Sequence, residues 1–191
     1  TTVSAALDAA NVSNGAYQII GIAPGVYTGA ANYSVTISST KPKLLFIGLQ
    51  GAVKTIIEGD QINTGWLIQN SAVISSLTFR KTTRALYIQS PAKEVRFVDL
   101  IVRDNMASVS TYPAPGLHVS SMATGGKVYV VGSIFLDNGG EPEVKQIRIA
   151  AGAATLVNTV VWSQTSGTMV ARENSGTLTT NNCLVKGQTL T

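Results

Sequence analysis

"FVDLIV", residues 97–102, sets an apolar residue, two smaller ones and then an apolar–any–apolar run. The same pattern returns as "ISSLTF" at 74–79, "VGSIFL" at 131–136, "VNTVVW" at 157–162 and "TNNCLV" at 180–185, where Thr180 opens the weakest copy. Successive copies start 23, 34, 26 and 23 residues apart, which gives a unit near 23 residues with loops inserted at 104–115 and 137–145. Between the copies runs a second strand type: "ALYI" at 85–88, "GLHV" at 116–119, "QIRI" at 146–149 and "TMVA" at 168–171, with "WLIQ" at 66–69 before the first.

A unit of this length cannot bury its apolar side alone, so units must stack, each strand pairing in parallel with its equivalent in the next. The expected fold is an all-β parallel β-helix, one domain over 1–191. "VSAALDAA", residues 3–10, reads as a short amphipathic helix capping one end of the core. An antiparallel sandwich would need hairpin turns every 8–12 residues or so and gives no reason for the recurring corner.

Hydrophobic residues make up 45% of the chain and charged residues 13%, a β-rich palette that argues against disorder and suggests an extracellular setting. The net charge of +4 is spread without a basic run, which disfavours nucleic acid while leaving acidic polysaccharide open. Cys183 is the single cysteine, so no intrachain disulfide and no cysteine-held zinc is expected. No stretch has the length to span a bilayer, and "TTVSAALDAA" fits a mature terminus left by signal cleavage. Asn11-Val-Ser13 and Asn32-Tyr-Ser34 match the N-glycosylation pattern.

Helix "TVSAALDAA", the strand into "IAPGVYTG", then "SVTIS", "KLLFIGLQG" and "KTIIEG" cover residues 2–59. Together they resemble the opening of the pectin-lyase-like right-handed β-helix superfamily, and within it the pectin methylesterases. The resemblance implies a single-stranded right-handed parallel β-helix and, for the esterases, glutamines and a nucleophilic aspartate. Those positions fall near Thr83 or Arg84, in "DNMAS" at 104–108 and in "GLHVS" at 116–120. Gly116, Leu117 and His118 supply no carboxylate to attack an ester, so no catalytic residue is assigned.

Side chains along a β-helix strand alternate between core and solvent, and stacking aligns equivalent positions into columns. With Leu86, Ile88, Leu117, Val119, Ile147, Ile149, Met169 and Ala171 inward, the outward column is Leu67, Tyr87, His118, Arg148 and Val170. Tyr87, His118 and Arg148, about 4.8 Å apart from coil to coil, are candidate ligand-binding residues for stacking on a sugar or holding its hydroxyls or carboxylate. Equally, they are what any solvent-facing sheet would carry.

In the first strand type, taking Leu77, Phe79, Leu100, Val102, Ile134, Leu136, Val160, Trp162, Cys183 and Val185 as inward leaves Thr78, Ile101, Phe135, Val161 and Leu184 outward. Ile101, Phe135, Val161 and Leu184 are therefore interface candidates, covered either by the loop carrying Met106, Val109 and Tyr112 or by another chain. Asp104, Asp137, Glu141 and Glu143 are the loop carboxylates that a cation site would draw on, though "DNGGEPEVK" reads equally as a solvated turn. No metal or cofactor is assigned. "CLVKGQTLT" at 183–191 shows no amphipathic cap, so an open parallel edge would favour oligomers or filaments.

The expected function is an extracellular, non-catalytic structural or binding module that associates with itself or attaches to polysaccharide. The competing class is a polysaccharide esterase or lyase with rearranged catalytic groups.

Overall fold

The computed structural model describes residues 1–10, 17–106, 114–139, 144–164 and 169–186. Three parallel sheets wrap one core into a β-solenoid. The first sheet stacks Gln18–Ile22, Leu44–Gly48, Ala72–Ser75, Glu94–Val98, Lys127–Val131, Ala153–Val157 and Thr177–Asn181. In the second lie Gly25–Tyr27, Thr55–Glu58, Thr78–Arg80, Ile101–Arg103, Ile134–Leu136, Val160–Trp162 and Leu184–Val185. The third holds Thr36–Ile37, Trp66–Ile68, Leu86–Ile88, Leu117–Val119, Ile147–Ile149 and Val170–Arg172. Each recurring six-residue motif therefore spans the end of a first-sheet strand, a tight corner and a second-sheet strand.

The corner residue itself takes positive φ in every copy: Ser76, Asp99, Gly132, Asn158 and Asn182. Left-handed backbone is cheapest for Gly and next for Asn and Asp, which explains four of the five choices. Their amides bond along the stack, as in Asp99 N–H to Val131 O at 3.0 Å and Gly132 N–H to Val157 O at 3.0 Å.

The left-handed corner also sets the register, and it corrects the faces expected for two copies. Equivalent to "FVDLIV" are residues 130–135 and 156–161, one position earlier than the motif search places them, because Phe97 pairs with Val130 and Val130 with Leu156. A one-residue slip turns every side chain over. Phe135 and Val161 thus lie fully in the core, aligned with Phe79, Val102 and Val185, while Ile134, Val160 and Trp162 face outward. Likewise Val170 pairs with Ile147 and is buried, and Ala171 takes its expected place beside Arg148. The slip arises because the buried corner position, Leu77 and Leu100 in two copies, is a hydroxyl residue in the two slipped ones. Ser133 and Thr159 go inward by donating their hydroxyls to Val131 O at 3.0 Å and Val157 O at 3.0 Å.

The helix expected at 3–10 forms as α1, Val3–Ala9, and buries Val3 and Leu7 at one end of the core. Thr2 caps it, its hydroxyl accepting from Ala5 N–H at 3.2 Å. Asn32, in the short helix Ala30–Tyr33, accepts from Val3 N–H at 2.9 Å through Oδ1 and donates Nδ2 to Thr28 O at 2.7 Å. That side chain is buried and fully engaged, so the second glycosylation pattern is spent on joining cap to coil; Asn11-Val-Ser13 lies outside the described residues.

Behind α1 the core is aromatic, with Phe46, Trp66 and Phe79 packed edge to face at 4.8 and 5.1 Å between centroids. Farther along, a buried polar ladder runs through the coils. Asn105 accepts from Thr82 N–H and Oγ1–H and donates to Asn138 Oδ1 at 2.8 Å; Asn138 donates to Val102 O at 2.8 Å and Gln146 Oε1 at 2.9 Å. Gln146 then donates to Trp162 O. Each rung satisfies its neighbours, which is what buried amides require.

Candidate functional site

Tyr87, His118 and Arg148 stand in one column on the outer face of the third sheet, Tyr87 opposite His118 and His118 opposite Arg148. Alternation dictates this: Leu86, Ile88, Leu117, Val119, Ile147 and Ile149 flank them and are all fully buried. The column continues to Leu67 on one side and Ala171 on the other.

The three side chains are not an open platform, because neighbours cover them. Arg84 lays its guanidinium carbon 3.6 Å from the Tyr87 ring centroid, and the imidazole of His118 sits 5.2 Å away, tilted by 35°. One face of the Tyr87 ring is therefore taken by Arg84. Gln89 Nε2 donates to Tyr87 Oη at 2.7 Å. Burial pushes the phenol up, but hydrogen bonds with Ser120 and Gln89 and the nearby Arg84 charge outweigh it and hold Tyr87 below its ordinary value. His118 is 7% exposed, and its Nδ1 has no hydrogen-bond partner among the described residues. Burial first, then the charges of Arg148 and Arg84, depress the imidazole from 6.5 to about 4, with Glu173 pulling weakly the other way. The ring is neutral at pH 7.

Arg148 forms an ion pair with Glu173, a residue that sequence reasoning missed because it lies beyond the strand that carries the column. The Arg148 hydrogen bond holds the Glu173 carboxyl below the usual range against an opposing push from burial. Arg84 was equally hidden, since its side chain reaches the column from the turn before Leu86. The assembled strip is thus cation, aromatic, imidazole and ion pair in sequence.

Set against known proteins, the chain matches no family model, no curated protein and no solved structure.

The interface candidates divide. Ile101 and Leu184 face outward as expected, Leu184 at 56% exposure, while Phe135 and Val161 are in the core. An apolar outer face exists nonetheless, built from other residues. Ile101, Ile134, Val160 and Leu184 form one column of the second sheet, and Leu136 and Trp162 stand in the next. Ile134 and Trp162 are each 40% exposed. Lys186 Nζ lies 5.2 Å from the Trp162 ring centroid. Of the loop expected to cover this face, Met106 is itself exposed, and Val109 and Tyr112 lie outside the described residues.

The loop carboxylates have local employment. Asp104 pairs with Arg103 at 2.8 Å, and Asp137 accepts from Gln164 N–H at 2.8 Å. Glu141 and Glu143 lie outside the described residues, as does the chain from 187 onward. Among the described residues no group of three His, Cys, Asp or Glu side chains is placed to hold a metal ion, and no helix is long and apolar enough to cross a membrane.

Proposed function

We propose that this chain is an extracellular, non-catalytic β-helix module that works by contact along its sides, and that its main contact is with a second copy of itself. The observation that carries this is the apolar outer face of the second sheet, where Ile101, Ile134, Val160, Leu184, Leu136 and Trp162 adjoin over four successive coils. Large apolar residues clustered on a sheet's solvent side mark a covered surface, and two flat sheet faces can pack about 10 Å apart. Sedimentation velocity tests it: the protein should form dimers or larger species at micromolar concentration, and the double change Ile134→Asp and Leu184→Asp should yield monomers. A wild-type protein that stays monomeric at high concentration would overturn the reading.

A second reading, attachment to polysaccharide, is favoured by the strip Arg84–Tyr87–His118–Arg148 with Glu173. The resemblance of residues 2–59 to pectin-lyase-like proteins, and among them the pectin methylesterases, supports a saccharide as the ligand class. The esterase or lyase alternative ranks below both, because the carboxylate on this strip, Glu173, is engaged by Arg148 and held ionised, unsuited to protonating a leaving group.

A further inference from the structure

Apolar side chains on the outside of the solenoid continue from the second sheet around the left-handed corner onto the first. On the first-sheet side of the corner stand Val98, Val131 and Val157, in register and half-buried. On the second-sheet side stand Ile101, Ile134 and Val160, in register in the same three coils. The crest between them carries Asp99, Gly132 and Asn158, all exposed.

Away from the crest the two flanks change character in step. Two residues farther out are Arg96, Tyr129 and Thr155 on the first sheet, and Arg103, Leu136 and Trp162 on the second. Charges gather at the rims. Arg96 pairs with Glu94 at 2.7 Å and Arg103 with Asp104 at 2.8 Å, and in the next coil Lys127 and Asp137 end the two flanks. An apolar centre inside a polar rim is the anatomy of a protein interface.

The second-sheet flank alone is small for a stable contact. Its apolar strands run two or three residues, about 10 Å, and four coils extend it about 19 Å, a footprint of about 200 Å². A stable pair covers roughly 800 Å² on each partner. First-sheet strands of five residues more than double the footprint, but a flat partner cannot cover both sides of a convex corner. Covering both takes one neighbour on each flank.

Rotation about the crest lays the second-sheet flank of one copy on the first-sheet flank of the next at equal height. Ile101, Ile134 and Val160 then face the neighbour's Val98, Val131 and Val157. Farther out Leu136 faces Tyr129, Trp162 faces Thr155 and Asp137 faces Lys127, while the Arg103–Asp104 pair lies against the pair of Glu94 and Arg96. Opposite charges therefore meet at the rim. Three sheets wrapped on one core turn through less than a straight angle at each corner, so two copies leave the circle open.

Resting on the self-association reading above, we propose that this corner is the centre of a ring of three or more copies with parallel long axes, each seating its second-sheet flank on the first-sheet flank of the next. Sedimentation equilibrium of the whole chain tests it, with circular dichroism to check folding. Wild type should give the mass of three or more copies. Val131→Asp sets a charge against the neighbour's Ile134 and should weaken association by at least about thirtyfold. Adding Ile134→Lys in the same chain faces that charge with its opposite and should bring association back to within about tenfold of wild type. Lys127→Asp, an exposed rim change, should weaken it about fivefold. A wild-type dimer, an unaffected Val131→Asp or Lys127→Asp, or no recovery in the double variant would overturn the ring and leave the second-sheet contact standing. Wild type that stays monomeric at high concentration would overturn both.

Discussion

His118 is the single histidine of the chain, and its position makes it a clean reporter of folding. In the folded protein the imidazole titrates at about 4 against 6.5 for the free side chain, chiefly because burial and then Arg148 and Arg84 disfavour the cation. The unfolded chain therefore takes up a proton at higher pH than the folded one. Stability from this group is complete above pH 6.5 and is lost as the pH falls from there toward 4, below which both states are protonated. At ~1.36 kcal/mol per unit the loss is about 3 kcal/mol. Most carboxylates titrate lower, so the stretch from 6.5 to 5 belongs largely to His118. Urea unfolding at pH 7.5 and 5.0 should show the wild type losing about 2 kcal/mol, and His118→Leu should lose well under half of that. A slope that persists unchanged in His118→Leu would mean the imidazole is not held neutral.

For the strands, period-two alternation made two strand types readable where the solenoid has three, because the six-residue motif, read as one strand, joins the end of a first-sheet strand to a second-sheet strand; for Leu86–Ile88, Leu117–Val119 and Ile147–Ile149 it gave the faces as well. What alternation does not carry is the phase of a corner. Val130 and Val131, or Leu156 and Val157, are equally apolar neighbours, so hydrophobicity cannot say which one opens the turn. The answer lies in the next residue but one: Gly132 and Asn158 are the residues that tolerate positive φ, and they match Asp99 and Asn182. The polar ladder was legible in principle too, since "DN" recurs at 104–105 and 137–138 with a left-handed Asp before each buried Asn. Glu173 left no such trace, because its role depends on a coil-to-coil contact. The phase is testable by a pair of adjacent changes. Phe135→Asp places an unpaired charge in the closed core and should cost more than about 4 kcal/mol, leaving little folded protein. Ile134→Asp, one residue away on the outer face, should change the stability of the monomer by less than about 1 kcal/mol, by urea unfolding of both proteins at a concentration too low for copies to associate. The reverse order would restore the slipped register.

Along the whole solenoid the core changes composition, and since each coil touches only its neighbours, stability should change with it. The inward column of the first sheet runs Phe46, Ile74, Phe97, Val130, Leu156 and finally Thr180. The corner column runs Leu77, Leu100, Ser133, Thr159 and Cys183, so both lose apolar volume in the same direction. Around Phe46 the aromatic cluster and α1 close the core, whereas Leu178 and Thr180 are only half-buried. Less apolar area removed from water means a smaller free energy of local opening. Hydrogen exchange should therefore find amides of Leu44–Gly48, Ala72–Ser75 and Glu94–Val98 protected at least about a hundredfold more than those of Thr177–Asn181. Thr180→Val, which removes a hydroxyl from that inward position, should raise protection across residues 177–185 by about fivefold while leaving residues 44–98 unchanged. A uniform rise along the chain would show one cooperative unit instead, in which case the gradient in core composition has no counterpart in local stability.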